Sequence, residues 1–379
     1  MEGDLIKINE WLTPLSWLYG AGVFVRNEMF ELGLLKSKSF DIPVISIGNI
    51  TVGGTGKTPH TEYLIELLRH HFKVAVLSRG YKRKTKGFVL SNAETRMQDI
   101  GDEPFQIKEK FPDIYVAVDK NRCHGIERLC DESVAPGTEV ILLDDAFQHR
   151  YVKPGINILL IDYHRMITED KLLPAGRLRE PKEGKSRANI VIVTKCPRDI
   201  KPMGFRVISK ALNLYPYQKL YFSTFKYGDL LAAHPERKNR PLASLEKNEH
   251  VLLLTGIASP EQMIIDLGQY TKNITSLSFQ DHHYYSEKDL QNVYDTFQKM
   301  PEKKLIITTE KDFSRLKGMN LHEEIRKNLY VLPIEVEFMQ EQENTFNENI
   351  IGYVRKNSRN SILAFFPLAK MLFLEFFRT

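Results

Sequence analysis

Residues 49–58 (NITVGGTGKT) place three glycines immediately before a Lys-Thr pair. Glycines at that spacing let successive backbone N–H groups approach an anion with no Cβ in the way. A lysine following them can reach the β and γ phosphates of a nucleotide, and the next hydroxyl can bind Mg²⁺. Thr51, Val52, Gly53, Gly54, Thr55, Gly56, Lys57 and Thr58 are therefore the candidate phosphate-binding residues. One position departs from the usual pattern. Six residues before the lysine, where glycine is expected, the chain has Thr51.

Other residues could complete a phosphoryl-transfer site. Asp144 and Asp145 end an apolar run (VILLDD), and a carboxylate at the carboxyl end of a buried strand is where such an enzyme holds its magnesium. Two adjacent acids there repel each other unless a cation offsets them. In 101–104 (GDEP), Asp102 and Glu103 open a helical stretch running to about Lys110; one acid there is explained by helix capping alone, and Asp102 could instead deprotonate an attacking hydroxyl. In 173–181 (LPAGRLREP), Arg177 or Arg179 could neutralise charge developing on a transferring phosphate. The basic loop 79–86 (RGYKRKTK) is either a solvated turn or a site for an anionic substrate or lipid headgroup. Asp281 beside His282 and His283 could form a carboxylate–imidazole pair.

These residues need elements to position them. The β-branched run 41–48 leads into the glycine loop and then into a helix with Tyr63, Leu64, Leu67 and Leu68 on one face, which is the strand–loop–helix context a phosphate loop requires. Apolar runs at 73–78, 114–118, 139–143, 156–161 and 189–195 read as further parallel strands separated by helices and loops. At the last of these, Thr194-Lys195-Cys196-Pro197 lacks the carboxylate with which a GTPase reads guanine. After a polar, proline-broken stretch at 225–249 the pattern resumes, with strands at 250–255 and 304–309 and Ser259-Pro260 at a helix start. The expected fold is α/β: a P-loop NTPase-type doubly wound parallel sheet with a second, smaller α/β domain. The expected divisions are 1–36, an N-terminal membrane-associating helical segment; 37–224, the nucleotide-binding domain; 225–350, the smaller domain, closing over the nucleotide; and 351–379, an apolar tail of unassigned role.

Composition narrows the class. The chain has 379 residues, 42% hydrophobic and 27% charged, with a formal net charge of +5. Those proportions exclude a disordered chain, a fibrous repeat and a polytopic membrane protein, and so mild a basic excess gives no case for nucleic acid. Cys123, Cys130 and Cys196 show no metal-ligand spacing and are odd in number, as expected of a reduced compartment. The N-terminus lacks the pattern of a secretory leader. Both tryptophans, Trp11 and Trp17, lie in an apolar stretch at 11–25 too short and too interrupted to span a bilayer. It either lies in a headgroup layer, with Trp11, Leu12, Leu15, Leu18, Tyr19 and Val23 near one side, or packs on the protein's own core. The apolar segment 362–377 could likewise dock as a terminal helix or dip into a bilayer.

Taken jointly, GNITVGGTGKTP (48–59), RGY (79–81), GDEP (101–104), LLDDAFQHR (142–150), LPAGRLREP (173–181), DHHYY (281–285) and TEKD (309–312) resemble, in order and spacing, the tetraacyldisaccharide 4'-kinases, the lipid A kinases of Gram-negative bacteria. The resemblance runs from about residue 10 to 340, and the family shares the variant loop with threonine at position 51. It implies ATP-dependent phosphorylation of the 4'-hydroxyl of tetraacyldisaccharide 1-phosphate, a lipid A precursor. It implies ATP and Mg²⁺ as cofactors and a peripheral or monotopic protein on the cytoplasmic face of the inner membrane. No nucleic acid and no obligate protein partner are expected. Carried over by motif, Asp102 is the base assisted by His282, with His283 fitting the same motif. Lys57 and Thr58 serve phosphate and magnesium. Asp144 and Asp145 serve the metal, and Glu103, Arg179 and Glu180 line the site. The competing reading is a membrane-associated P-loop nucleotide switch or binding protein without kinase activity. A third is a soluble P-loop kinase or ligase acting on a metabolite.

Overall fold

The structure, a computed structural model, describes residues 8–257, 260–280 and 283–358. The described residues form two units: one takes those up to Ile100, Ile107–Thr224 and those from Val336, and the other takes Gly101–Gln106 and those within Phe225–Glu335.

The first unit begins with α1 (Thr13–Glu31) and then alternates strand and helix: β1 (Val44–Gly48), α2 (Lys57–Arg69), β2 (Val74–Ser78), β3 (Val89–Leu90), α3 (Met97–Ile100), the end of α4 (Asp102–Lys110, whose residues up to Gln106 belong to the second unit), β4 (Tyr115–Val118), α5 (Arg122–Leu129), β5 (Val140–Asp144), β6 (Ile156–Asp162), β7 (Ile190–Thr194), α6 (Pro202–Leu212) and β8 (Lys219–Tyr227). Its sheet has the order β8-β7-β6-β1-β5-β2-β4-β3, parallel from β8 to β4, with β3 antiparallel at the edge. Strands β1, β2, β5 and β7 are buried along their whole length, which is why their sequences are mostly apolar and rich in Val, Ile and Leu. β1 lies between β5 and β6, where the strand order reverses, so the loop after it opens at the switch point of a doubly wound sheet. Leu64, Ile65 and Leu68 anchor α2 on this sheet, fully buried, each worth about 2 kcal/mol of transfer free energy.

The second unit continues with β9 (Leu231–Ala232), β10 (His250–Thr255), α7 (Glu261–Leu267), β11 (Ile274–Ser278), α8 (Glu287–Gln298), β12 (Lys304–Thr309), α9 (Glu310–Leu316), α10 (Glu323–Asn328) and β13 (Leu329–Leu332). Its five-stranded sheet, β11-β10-β12-β13-β9, is parallel except for β9. Met263 and Leu267 of α7 pack on one face, and Val293 and Phe297 of α8 on the other. The chain then passes through β14 (Ile334–Phe338), which pairs with β8, and α11 (Glu343–Asn357). The sequence reading groups 336–350 with the smaller domain. In the structure this stretch belongs to the first unit, because Phe338 and Phe346 pack against Tyr63 and Tyr221.

α1 docks by its small residues. Ser16 Oγ donates to Leu172 O at 2.9 Å and accepts from Ala175 N at 2.9 Å, while Gly20 lies so close to Leu172 that a Cβ would meet it at 2.8 Å. The bulky side chains are left outside. Trp11 is 93% exposed, and Leu15, Trp17, Leu18, Phe24 and Val25 are also exposed. Among the described residues no helix is long and apolar enough to cross a membrane. Ser259 of the expected helix cap and the apolar segment 362–377 lie outside the described residues.

Candidate active site

The loop between β1 and α2 is held from three sides. On one side, residues 50–52 run antiparallel to 177–179: Thr51 bridges Leu178, Val52 N donates to Arg177 O at 2.8 Å, and Arg179 N donates to Ile50 O at 2.7 Å. Thr51 therefore sits in extended, buried backbone with no need of glycine's left-handed freedom, which accounts for the departure at this position. The positive φ values fall instead on Gly53 and Gly56, at 119° and 80°. Inside the loop, Asn49 Nδ2 donates to Thr55 Oγ1 at 2.8 Å.

On the second side stand the ends of β6 and β7. Thr194 Oγ1 donates to Thr55 O at 3.0 Å. Lys195 Nζ donates to Gly54 O at 2.5 Å and pairs with Asp162 at 2.7 Å. Arg165 also lies against the loop, its Nη1 3.4 Å from where a Cβ on Gly53 would stand. On the third side, His60 Nδ1–H donates to Gly56 O at 2.7 Å, and Nε2 accepts from Ser223 Oγ at 2.9 Å. Burial pushes this imidazole down to about 4, so it is neutral at physiological pH.

Lys57, at the first position of α2, faces the tandem acids. Its Nζ is 3.7 Å from Asp145 Oδ1, and Arg179 Nη1 is 3.4 Å from Asp145 Oδ2. Burial alone would raise the Asp145 carboxyl, but the Lys57 ammonium and Arg179 guanidinium outweigh it and hold it below the usual range. Asp145 has φ 46°, a turn that separates its side chain from that of Asp144. Asp144 Oδ1 accepts from Thr61 Oγ1 at 3.3 Å. Asp145 Oδ1 is buried with no hydrogen-bond donor among the described residues. A buried carboxylate oxygen left open in this way fits a hard, oxygen-seeking cation such as Mg²⁺.

Glu180 stands behind this group. It is buried, paired with Arg187 at 2.7 Å and reached by Gln148 Nε2 at 3.4 Å, and Gln148 also donates to Asn49 O. It braces the loop through Gln148. Close by, Arg122 is buried with Nη2 donating to Asp144 O at 3.2 Å, and burial lowers its guanidinium to about 10. His149 carries a buried Nε2 with no partner among the described residues. Burial, and then the charges of Arg122, Arg26 and Arg79, push it down to about 4.

The second unit holds a separate acid–base cluster. Asp102, the first residue of α4, is buried; its Oδ1 accepts from Glu103 N at 3.0 Å and its Oδ2 lies 2.5 Å from Arg315 Nη2. Glu103 lies 3.5 Å from Lys311. His283 pairs with Asp289 at 3.0 Å and stacks on Phe279, while Asp289 completes the capping box of α8 with Ser286. Hydrogen bonds from Ser286 and from His283 hold Asp289 down at about 2. Asp281 and His282 lie outside the described residues. Sequence reasoning did not single out Arg315, Lys195, Arg165, Arg122 or His60. Two had a signal: Arg315 follows Asp312 of TEKD by one helical turn, and Lys195 ends a buried strand.

The profile of the tetraacyldisaccharide-1-P 4'-kinase family, LpxK, matches residues 8–354. A tetraacyldisaccharide 4'-kinase of Phocaeicola vulgatus is 63% identical over 363 residues, covering 95% of this chain and 99% of that protein. One from Bacteroides fragilis is 59% identical over 368 residues, covering 96% and 98%. Among solved structures, LpxK from Aquifex aeolicus in complex with ATP superposes with a TM-score of 0.69 at 30% identity, covering 91% of this chain and 99% of that one.

Proposed function

This chain belongs to the tetraacyldisaccharide 4'-kinase family, and from that premise we propose the course of its reaction: the γ-phosphoryl group of ATP passes to the 4'-hydroxyl of tetraacyldisaccharide 1-phosphate. The hydroxyl oxygen bonds to the γ phosphorus, the bond to the β–γ bridging oxygen breaks, ADP leaves, and the hydroxyl proton is taken by Asp102. The observation that carries the reading is the glycine loop with Lys57 and Arg179 converging on Asp145, whose Oδ1 is left open. In such a transfer the protein mainly positions groups and offsets charge. Thr58, Asp144 and Asp145 would hold Mg²⁺, which when bound neutralises charge on the transferring phosphoryl group.

The chain's own residues divide the remaining work. Backbone N–H groups of 53–58 and the start of α2 hold phosphate oxygens. Lys57 meets the β and γ phosphates, and Arg179 offsets charge as it develops. Glu180 keeps the loop in shape. His283 is committed to Asp289 and Phe279, which favours His282 as the imidazole assisting Asp102. The positive charges of Arg26, Arg79 and Arg122 around His149 suit the 1-phosphate of the acceptor.

An acyl-bearing acceptor stays in its bilayer, so the enzyme must come to it. The outward Leu15, Trp17, Leu18 and Phe24 of α1, with Trp11 just before it, support docking on the cytoplasmic surface of the inner membrane. The test is γ-labelled ATP and Mg²⁺ with tetraacyldisaccharide 1-phosphate in mixed micelles, separated by thin-layer chromatography. A labelled lipid that forms only with acceptor present supports the kinase. Nucleotide-dependent binding without labelled lipid contradicts it.

A further inference from the structure

We propose that Arg315 is a positioning residue for the Asp102 base, fixing its orientation and keeping it ionised. This rests on the reading of Asp102 as base. Three buried charges, Asp312, Arg315 and Asp102, form a chain. Asp312 is wholly buried, and its Oδ2 accepts from Gly256 N at 2.9 Å, at the end of β10, and from Thr309 Oγ1 at 2.7 Å, at the end of β12. Its other oxygen takes Arg315 Nη1 at 3.2 Å, one turn along α9. The Arg315 side chain, 2% exposed, then presents Nη2 to Asp102 Oδ2 at 2.5 Å. The rigid ends of two strands thus fix an aspartate, the aspartate fixes a guanidinium, and the guanidinium fixes the base.

Stability alone does not explain the arrangement. A buried ion-pair triad repays its desolvation poorly, and well-packed apolar side chains in its place are often equally stable or more so. Positioning does explain it, because a guanidinium offers its donors in a rigid plane and both Asp102 oxygens then have a donor. The pair also favours the charged carboxylate, which a base needs before it can accept a proton. Other titratable groups adjoin this chain of charges. Lys311 is matched by Glu103. Tyr285 stays a neutral phenol, its acidity suppressed by burial and by Asp312. Arg315 is a cation paired directly with Asp102 and so acts on its ionisation.

The test is the pH dependence of kcat for the full-length enzyme with saturating Mg-ATP and acceptor, in wild type, Arg315→Gln, Arg315→Lys and Asp102→Asn. Arg315→Gln is expected to lower kcat on the order of 100-fold and to move the acidic limb of the profile up by about one pH unit, as loss of a neighbouring cation requires. Arg315→Lys restores the position of the limb and only part of kcat, since it keeps the charge and loses the plane. KM for ATP stays unchanged. A folded Arg315→Gln enzyme with an unmoved limb overturns the proposal, as does Arg315→Lys behaving like Arg315→Gln in both respects. If Arg315→Gln does not fold, the double variant Asp312→Asn with Arg315→Gln removes both buried charges and carries the same measurement. Full activity in Asp102→Asn sinks the base reading itself, a result separable from an unmoved limb.

Discussion

Lys57 Nζ stands 3.7 Å from Asp145 Oδ1, too far for a hydrogen bond and close enough for each charge to stabilise the other. Replacing the carboxylate by an amide keeps the shape and removes the charge. Asp145→Asn is expected to lower kcat on the order of 100-fold while leaving ATP binding measured without Mg²⁺ unchanged or tighter. Calorimetry with and without the metal separates the two effects. An Asp145→Asn enzyme with normal kcat would remove this residue from the transfer step.

Thr51 gives a prediction opposite to the one its motif suggests. Restoring the usual glycine, Thr51→Gly, brings no gain, because the residue is buried in extended backbone bridged to Leu178. The substitution is expected to cost roughly 1 kcal/mol, read as a lower denaturant midpoint, with KM for ATP no better than in wild type. Tighter ATP binding in Thr51→Gly would contradict this account of the loop.

His60 links folding to pH. Its folded value of about 4 lies below the ordinary histidine value of 6.5, so the unfolded chain binds the extra proton first. The stability this group contributes is complete above pH 6.5 and is lost as pH falls toward 4, amounting to roughly 3 kcal/mol. Denaturation between pH 7 and 4.5 should show His60→Gln less stable than wild type at pH 7 but with a shallower acid decline. Parallel declines would mean that His60 is not the titrating group.

The outward face of α1 should govern access to the lipid. Trp17→Ser with Leu18→Ser removes two exposed apolar side chains worth about 2 kcal/mol each on insertion. Vesicle partitioning, read by flotation with anionic liposomes, should weaken by about 1,000-fold. ATP binding should be untouched, since Ser16 and Gly20 still dock the helix. Unchanged flotation would move the membrane contact elsewhere.

Arg79 is expected to read the far end of the acceptor. Arg79→Ala should raise KM for tetraacyldisaccharide 1-phosphate by about 10-fold, the scale of one charged hydrogen bond. An acceptor lacking the 1-phosphate should not discriminate between the two enzymes. Equal penalties with both acceptors would assign Arg79 to another part of the lipid.

Much of the nucleotide site is legible in the sequence because it is local. The strand 41–48, the glycines, Lys57 and the first turns of α2 are contiguous, and full burial of β1, β5 and β7 writes itself as mostly apolar runs rich in Val, Ile and Leu. What is hidden depends on contacts between distant segments. Nothing near Thr51 announces that Leu178 will pair with it, and nothing near Asp102 announces Arg315, 213 residues away. The docking of α1 depends on the small residues Ser16 and Gly20, whose importance appears only once Leu172 is seen against them. The stretch 336–350 reads as a continuation of the smaller domain, and only the aromatic packing of Phe338 and Phe346 returns it to the first unit.

The most direct measurement is phosphorus NMR of the lipid after reaction with Mg-ATP, using proton–phosphorus correlation to locate the new phosphomonoester, with Lys57→Ala alongside. The account predicts a second phosphate on the 4' oxygen in the wild-type reaction and none with Lys57→Ala. A phosphate at any other position, or an equal yield from Lys57→Ala, would contradict it.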